Sequence, residues 1–400
     1  MDLLLASLMM IWGNVSSSNP DVTFEQMVQA SLDAKKPPVV QQAQPETAVA
    51  SNGSADGFKI DSLTPTNKQD PQKDAPKVKG IYSTAYSAGG GRFDSLVKLV
   101  DDTDLNAMVI DVKDDNGWIT YDTGNPKLAE YGSTQKFMDV GKVISTLNQH
   151  NIYPIARIVV FKDTVLAKKH PEWSYVNPDG TLWSNGKDSF VNPYVKDVWD
   201  YNVEVAKEAA KAGFKEIQFD YVRFPEGFEK RADVLKYTKD DRSRIDAVAE
   251  FVKYAREQLT PLGVRVSVDI FGYAASVPAA EGIGQDFQKI SENVDVISPM
   301  IYPSHYTAGW FGSKVPDAAP YVTINGAMTD TRKKLDPLGT ALKPVVRPWI
   351  QDFTASWVPG HIKYGAHEVE EQIRALKDNG IDEFLLWNAG NSYTPDVNYK

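Results

Sequence analysis

The chain contains no cysteine. Disulfides, thiolate zinc sites and cysteine nucleophiles are therefore excluded. Histidine is scarce: His150, His170, His305, His361 and His367 are the only five, and none forms an H-x-H or H-x-x-x-H pair. That pattern argues against a histidine-held metal centre, and no metal is expected. Basic charge is also short, with 43 Lys and Arg against 53 Asp and Glu, a formal net charge of -10. A general nucleic-acid binder needs basic surface to displace counterions from phosphate, so no nucleic-acid partner is expected. The glycine-rich stretch after the first predicted strand, Ser87-Ala88-Gly89-Gly90-Gly91, lacks the G-x-G-x-x-G spacing of a dinucleotide site, and no cofactor is expected. No heptad pattern, long repeat or motif for a protein partner is evident.

What is present begins with an apolar run, Leu3 to Trp12, broken only by Ser7. It is too short to span a bilayer but has the length of a signal h-region. Only Met1 and Asp2 precede it, so the usual basic flank is missing. Residues 16–77 are poor in large apolar side chains and rich in Gln, Pro, Ala, Lys, Asp and Ser. Such a segment cannot bury enough surface to offset its ordering entropy. The expectation is a signal or membrane-anchor segment at 1–15 and a disordered linker at 16–77. It places the protein outside the cytoplasm, secreted or tethered at the cell surface. A folded domain is expected over 78–400, and the 42% apolar and 11% aromatic content supports a sizeable core.

From Val78 onward, strand and helix patterns alternate. Strands are predicted at Val78–Tyr86, Ala107–Lys113, Tyr153–Phe161, Lys215–Asp220, Val264–Asp269, Asp295–Tyr302, Lys343–Gln351 and Glu383–Trp387. Helices fall between them, for example over Pro193–Ala212, closed by Gly213. Alternating βα units imply parallel strands with right-handed crossovers, and eight units imply a closed (β/α)8 TIM barrel. An open doubly wound sheet is the competing arrangement.

The fourth predicted strand reads Glu216-Ile217-Gln218-Phe219-Asp220, followed by Tyr221-Val222-Arg223-Phe224-Pro225. Alternation puts Ile217 and Phe219 on one face and Gln218 and Asp220 on the other. A carboxylate at the C-terminal end of a barrel strand stands where such barrels carry their chemistry. Asp220 could equally cap the next turn or pair with Arg223. Polar groups recur at almost every strand end: Asp111 and Lys113, Arg157, Asp220 and Arg223, Asp269, Tyr302 and His305, Arg347 and Gln351, Trp387 and Asn388. Buried charges need partners, so these groups are expected to share one wet cavity.

Asp220 and Asp269 end adjacent strands, which lie about 5 Å apart. Two carboxyl groups so placed suit hydrolysis of a glycosidic bond, one ionised and one protonated. Arg223 is a candidate for keeping Asp220 ionised. The apolar neighbours of Asp269 (Val268, Ile270 and Phe271) are expected to raise its pKa by desolvation. Arg157 and Arg347 stand evenly between substrate contact and buried structure. His305 could merely cap a loop, and Asp111, Asp114 and Asp115 lack the spacing of a cation loop.

The motifs GIYSTAYSAG, VIDVKDDNG, ARIVVFKD, FDYVRFPEG, DIFGYA, ISPMIYPSHY, RPWIQDF and LLWNAGNSYT resemble the bacterial "putative glycosyl hydrolase domain" family, itself distantly similar to the α-amylase-type barrels. The resemblance runs from about Lys77 to Tyr393, with FDYVRFP its most specific piece. It implies a sugar-hydrolysing barrel with Asp220 at the nucleophile position. Two departures stand out: Asp269 replaces the glutamate that amylase-type enzymes carry after the fifth strand, and Gln218 replaces their arginine.

Trp118, Trp173, Trp183, Trp310, Trp349, Trp357 and Trp387 fall mostly in predicted loops or at strand ends. Indole faces pack well on the C–H faces of sugars, although each ring alone could be ordinary packing. Trp349 and Trp387 are the strongest candidates because they end strands. The expected function is a retaining glycoside hydrolase acting on an oligo- or polysaccharide, with Asp220 as nucleophile and Asp269 as acid/base. The remaining strand-end residues, including Trp349, are expected to bind substrate. A non-catalytic glycan-binding barrel of the cell envelope is the alternative, since binding needs the Trp and Arg groups but not both carboxylates.

Overall fold

In a computed structural model, residues 75–339 and 343–400 are described. The expected leader and nearly all of the expected linker lie outside them.

The strands are β1 (Lys79–Ser83), β2 (Ala107–Lys113), β3 (Tyr153–Val159), β4 (Glu216–Asp220), β5 (Arg265–Phe271), β6 (Val296–Met300), β7 (Val345–Val346), β8 (Trp349–Gln351) and β9 (Phe384–Trp387). Every strand pairing is parallel: β1 to β6 each bond the next in sequence, β6 bonds both β7 and β8, and β8 bonds β9. β9 returns to β1, with Leu385 beside Gly80, which closes the barrel. β7 and β8 are two pieces of one stave. The predicted strand over Lys343–Gln351 is interrupted because Pro348 has no N–H to give the ladder, while its carbonyl still accepts from the Leu385 amide at 2.9 Å. The barrel thus has eight staves, as the sequence implied.

The outer helices are α1 (Phe93–Asp101), α2 (Val140–Gln149), α3 (Lys196–Ala212), α4 (Arg244–Leu259), α5 (Phe287–Ser291), α6 (Pro320–Leu335) and α7 (Ala366–Asp378). Local chemistry sets their ends. Asp139, Ser243 and Asp286 accept backbone N–H bonds at the first turns of α2, α4 and α5. Gly213 ends α3 at φ +113, a left-handed geometry that an L side chain resists. Among the described residues no helix follows β9, so the eighth unit has a strand without its helix. No described helix is long and apolar enough to cross a membrane.

Side-chain alternation sorts the strands into two layers. Ile217 and Phe219 join the large apolar core between strands and helices. Inside the barrel, a smaller cluster holds Val78, Tyr82, Ala107, Val109, Ile155, Tyr302, Trp349, Leu385 and Trp387. Glu216, Gln218 and Asp220 alternate with the core-facing pair and mark three levels of the interior, from floor to mouth.

Candidate active site

The mouth of the barrel is centred on Arg157, which is fully buried. β3 places it opposite Asp111 of β2, and Val159 of β3 pairs with Asp220 of β4. Its guanidinium therefore reaches both neighbouring strands. Nη1 donates to Asp111 Oδ1 at 2.7 Å, while Nε and Nη2 donate to Asp220 Oδ2 at 3.0 and 2.6 Å. Asp115, from the loop after β2, lies at 3.4 Å from Nη1 and Nη2. The Tyr221 amide adds a third donor to Asp220, reaching Oδ1 at 2.6 Å. Three donors on one carboxyl group suit an acceptor-only carboxylate.

One guanidinium cannot balance three carboxylates, although Lys162 helps from 3.8 Å of Asp115. The three groups consequently differ. Burial and the Asp115 charge outweigh Arg157 at Asp111 and push its carboxyl up to about 7. At Asp115, burial is overcome by Arg157 and Lys162, and the carboxyl falls below its usual range. The Tyr82 hydroxyl donates to Asp111 Oδ2 at 2.6 Å, and burial beside Asp111 keeps that phenol protonated.

A stability prediction follows from Asp111. The folded state holds its proton more tightly than the unfolded chain, so its contribution is fully present below its ordinary value of 3.8 and lost as pH rises through about 7. Asp111→Asn mimics the protonated form. The Tm of the parent should therefore fall relative to this variant as pH rises through that window. A difference independent of pH would sink the idea.

Asp269 stands beside Asp220. The β4–β5 register runs Gln218 to Ser267 and Phe219 to Val268, so the next step sets Asp220 against Asp269. Burial first, and then the Asp220 charge, raise the Asp269 carboxyl well above the usual range. Its Oδ1 accepts from Trp349 Nε1 at 2.7 Å. Trp349 meets Trp387 edge to face at 5.6 Å, and Trp387 stacks on Tyr82 at 4.3 Å. Arg157 lies 5.7 Å from the ring centres of Tyr82 and Trp387. Tyr302 is buried next to both carboxyl groups, and desolvation with the Asp269 and Asp220 charges keeps its phenol protonated.

Backbone strain marks the same place. Tyr221, directly after Asp220, has φ +52. A bulky residue held in the left-handed region costs of order 1–3 kcal/mol and needs its surroundings to hold it there. Here the Tyr221 carbonyl accepts from the Phe161 amide, and Lys162 and Arg223 lie over its ring at 5.0 and 4.7 Å.

Asp111, Arg157, Asp220, Asp269, Tyr302, Trp349 and Trp387 thus meet at one mouth. The remaining predicted residues are placed differently. Arg223 pairs with Glu226 at 3.1 Å and lies between the Tyr221 and Phe271 rings; the cation on Asp220 is Arg157. Lys113 leaves the mouth altogether. A bulge sets Lys113 opposite Ile158 rather than Val159, and that one-residue slip turns it to the helix side. There Lys113 binds Asp163 at 2.7 Å and Asn202 at 3.0 Å.

Arg347 lies at the opposite end of the barrel. It precedes Gln351 by four positions, about 13 Å along a strand, and binds Glu216 at 2.7 Å and Glu383 at 2.8 Å. Gln351 is spent on structure: Oε1 accepts from the Ser304 amide, and Nε2 donates to Asp317 and to the Phe353 carbonyl. Asn388 folds its own turn, donating to the Asp352 and Ser392 carbonyls. His305 packs on Tyr302 at 5.1 Å, and burial lowers its pKa to about 4, leaving it neutral at ordinary pH. Asp114 accepts from the amides of Asn116 and Trp118. Among the described tryptophans, Trp173 and Trp183 pack inside the long connection after β3.

Residues 80–393 match the family described as "Putative glycosyl hydrolase domain". Among solved structures, the PgaB (BpsB) glycoside hydrolase domain of Bordetella bronchiseptica is similar in fold. It is 13% identical with a TM-score of 0.52, over 78% of this chain and 94% of that one. A hypothetical protein from Ruminiclostridium thermocellum is 38% identical over 47% of this chain and 96% of its own, with a TM-score of 0.44. An α-amylase from Lactobacillus plantarum is 12% identical with a TM-score of 0.48, over 80% of this chain and 72% of its own. No curated protein sequence matches.

Proposed function

The chain belongs to the putative glycosyl hydrolase domain family and is a glycosidase acting on carbohydrate; on that premise we propose that it is a retaining enzyme using Asp220 as nucleophile and Asp269 as general acid/base. One observation carries this reading. Two buried carboxyl groups, Asp220 and Asp269, directly follow Phe219 and Val268, the last residues paired between β4 and β5. Arg157 and the Tyr221 amide direct three N–H groups at Asp220, while burial and Asp220 favour the protonated form of Asp269.

Adjacent parallel strands lie about 4.8 Å apart, which supports the roughly 5–5.5 Å carboxyl separation of retaining enzymes over the 6.5–9.5 Å of inverting ones. In the first step Asp220 Oδ attacks the anomeric carbon as the bond to the leaving oxygen breaks, and Asp269 gives that oxygen its proton. In the second, Asp269 takes a proton from water, whose oxygen attacks the anomeric carbon and releases Asp220. Trp349 holds the acid in place through Oδ1, which leaves the other oxygen to carry the proton.

Asp269→Ala should therefore slow hydrolysis of sugar leaving groups by about 10²–10⁴-fold while largely sparing glycosylation by glycosyl fluorides or dinitrophenyl glycosides, whose leaving groups depart without a proton. The alkaline limb of kcat/KM should also disappear, because that limb reports loss of the Asp269 proton as pH rises through its raised pKa. Equal losses for good and poor leaving groups would remove Asp269 from the acid role.

A surface location is part of the same proposal, with an envelope or nearby polysaccharide as substrate and the N-terminal segment as tether. It is supported by the apolar run Leu3–Trp12 and the polar stretch after it. Fractionation of cells expressing the full chain tests it, and a wholly cytoplasmic product would refute it.

A further inference from the structure

The rings of the mouth continue beyond Trp387. Trp387 lies 6.4 Å from Tyr302, Tyr302 lies 6.1 Å from Phe353, and Phe353 lies 6.0 Å from Trp357. The planes of the last two are only 18° apart, so they run nearly parallel. Trp387 and Tyr302 are buried, whereas Phe353 and Trp357 are partly exposed. Four rings therefore climb from the buried site to its rim. The upper three come from the loops after β6 and β8, and Gln351 ties those loops together. Its Oε1 accepts from the Ser304 amide at 3.0 Å, and its Nε2 donates to the Phe353 carbonyl at 3.0 Å. The ladder is thereby fixed in place before any ligand arrives, which lowers the ordering cost of binding.

The ladder stands on the Asp269 side of the reacting pair. β5 pairs directly with β6, Asp269 against Ser298, and Trp349 of β8 donates to Asp269. Asp220 is held from the other direction, by Arg157 of β3. A retaining site divides its substrate along this line, because the acid must touch the oxygen of the departing sugar. A run of aromatic faces on the acid side therefore meets the leaving group. Fixed rings that are partly exposed at the rim suit the flat C–H faces of pyranoses, whose hydroxyl groups stay at the edges and in water.

We propose that Tyr302, Phe353 and Trp357 form a leaving-group subsite, so that the substrate is a glycan chain continuing at least one pyranose ring beyond the cleaved bond. The inference rests on Asp269 being the acid.

Trp357→Ala and Phe353→Ala test it against a panel of monosaccharide glycosyl fluorides and matching gluco-, galacto- and N-acetylglucosamine oligosaccharides of increasing length. For oligosaccharides, kcat/KM should fall about tenfold or more. For the glycosyl fluoride it should stay within about twofold, because fluoride needs no protonation and has no ring to rest on the ladder. Trp357→Phe should recover most of the loss. Equal losses on both substrates would move the ladder to the other side of the cleaved bond, and unchanged oligosaccharide rates would abolish it as a subsite. Fluorescence titration of Asp220→Asn with the same oligosaccharides reads binding apart from chemistry. A response lost on adding Trp357→Ala supports the subsite, and no ladder-dependent response overturns it. A parent enzyme that binds through the ladder yet turns over nothing would count against the hydrolytic assignment and leave the ladder standing.

Discussion

Asp220→Ala should abolish hydrolysis, lowering kcat by about four to six orders of magnitude, as expected when a covalent nucleophile is removed from an assembled site. Small anions should then restore part of the turnover. The shortened side chain leaves a space lined by Arg157 Nε and Nη2 and the Tyr221 amide, all of which donate to the missing carboxylate. Azide has the charge and size to occupy it and to attack the anomeric carbon. Retention also fixes the stereochemistry of that product: attack by azide in place of the protein nucleophile yields the inverted glycosyl azide. NMR of the product decides the matter. Undiminished activity in Asp220→Ala would falsify the assignment, and a wide carboxyl separation with activity intact would favour inversion.

The second large effect is expected at Arg157, and it should appear in stability as well as rate. Its guanidinium joins Asp111, Asp115 and Asp220 while fully buried. Removing it in Arg157→Ala leaves these carboxyl groups facing one another without their shared cation. Breaking a buried pair in this way costs about 3–5 kcal/mol, enough to lower Tm by roughly 10 °C in a domain of this size. Activity should fall by about 10²–10³-fold even at temperatures where the variant is folded, because Asp220 loses its orientation. Arg157→Lys preserves the charge but replaces a planar fork by a single ammonium, which cannot serve Asp111 and both contacts to Asp220 at once. It should recover more of the stability than of the rate. Calorimetry alongside kinetics separates the two, and an Arg157→Lys enzyme with parental kcat would refute the positioning role.

The fold was readable from periodicity because the staves are short and apolar and all but the last alternate with helices, several of them marked by Asp or Ser caps or a terminal glycine. Asp220 was readable for the same reason, since the alternation Ile217, Phe219 against Gln218, Asp220 needs nothing beyond the strand itself. The partner of Asp220 was less accessible. Arg223 is near in sequence, but the turn at Tyr221 carries it to Glu226 and the aromatic rings, whereas Arg157 arrives through the β3–β4 register. Position 218, where amylase-type barrels carry arginine, holds Gln218, and the guanidinium comes instead from the neighbouring strand. Tyr82 was missed although alternation with Gly80 set it on the inner face; its importance lies in contacts to Asp111 and Trp387, which only closure of the barrel creates. Lys113 shows the limit of parity arguments, because one bulge reverses them. Arg347 shows another: the strand was recognised, but which end of the barrel its middle would occupy depended on the break at Pro348.

The charges at the floor bear on how the chain reaches this structure. Glu216 of β4 is bonded by Arg347, a residue 131 positions away, and the same arginine holds Glu383 beside β9. No local segment can assemble this group. Such distant contacts must repay a long loop closure, and they form only when the first and second halves of the barrel have come together. Until then, two acids and an arginine remain hydrated and oppose collapse of an incomplete barrel around them. In the closed ring Arg347 Nη1 and Nε meet Glu216 and Glu383 in place of water. The floor charges are thus paired only where staves from both halves of the barrel stand together.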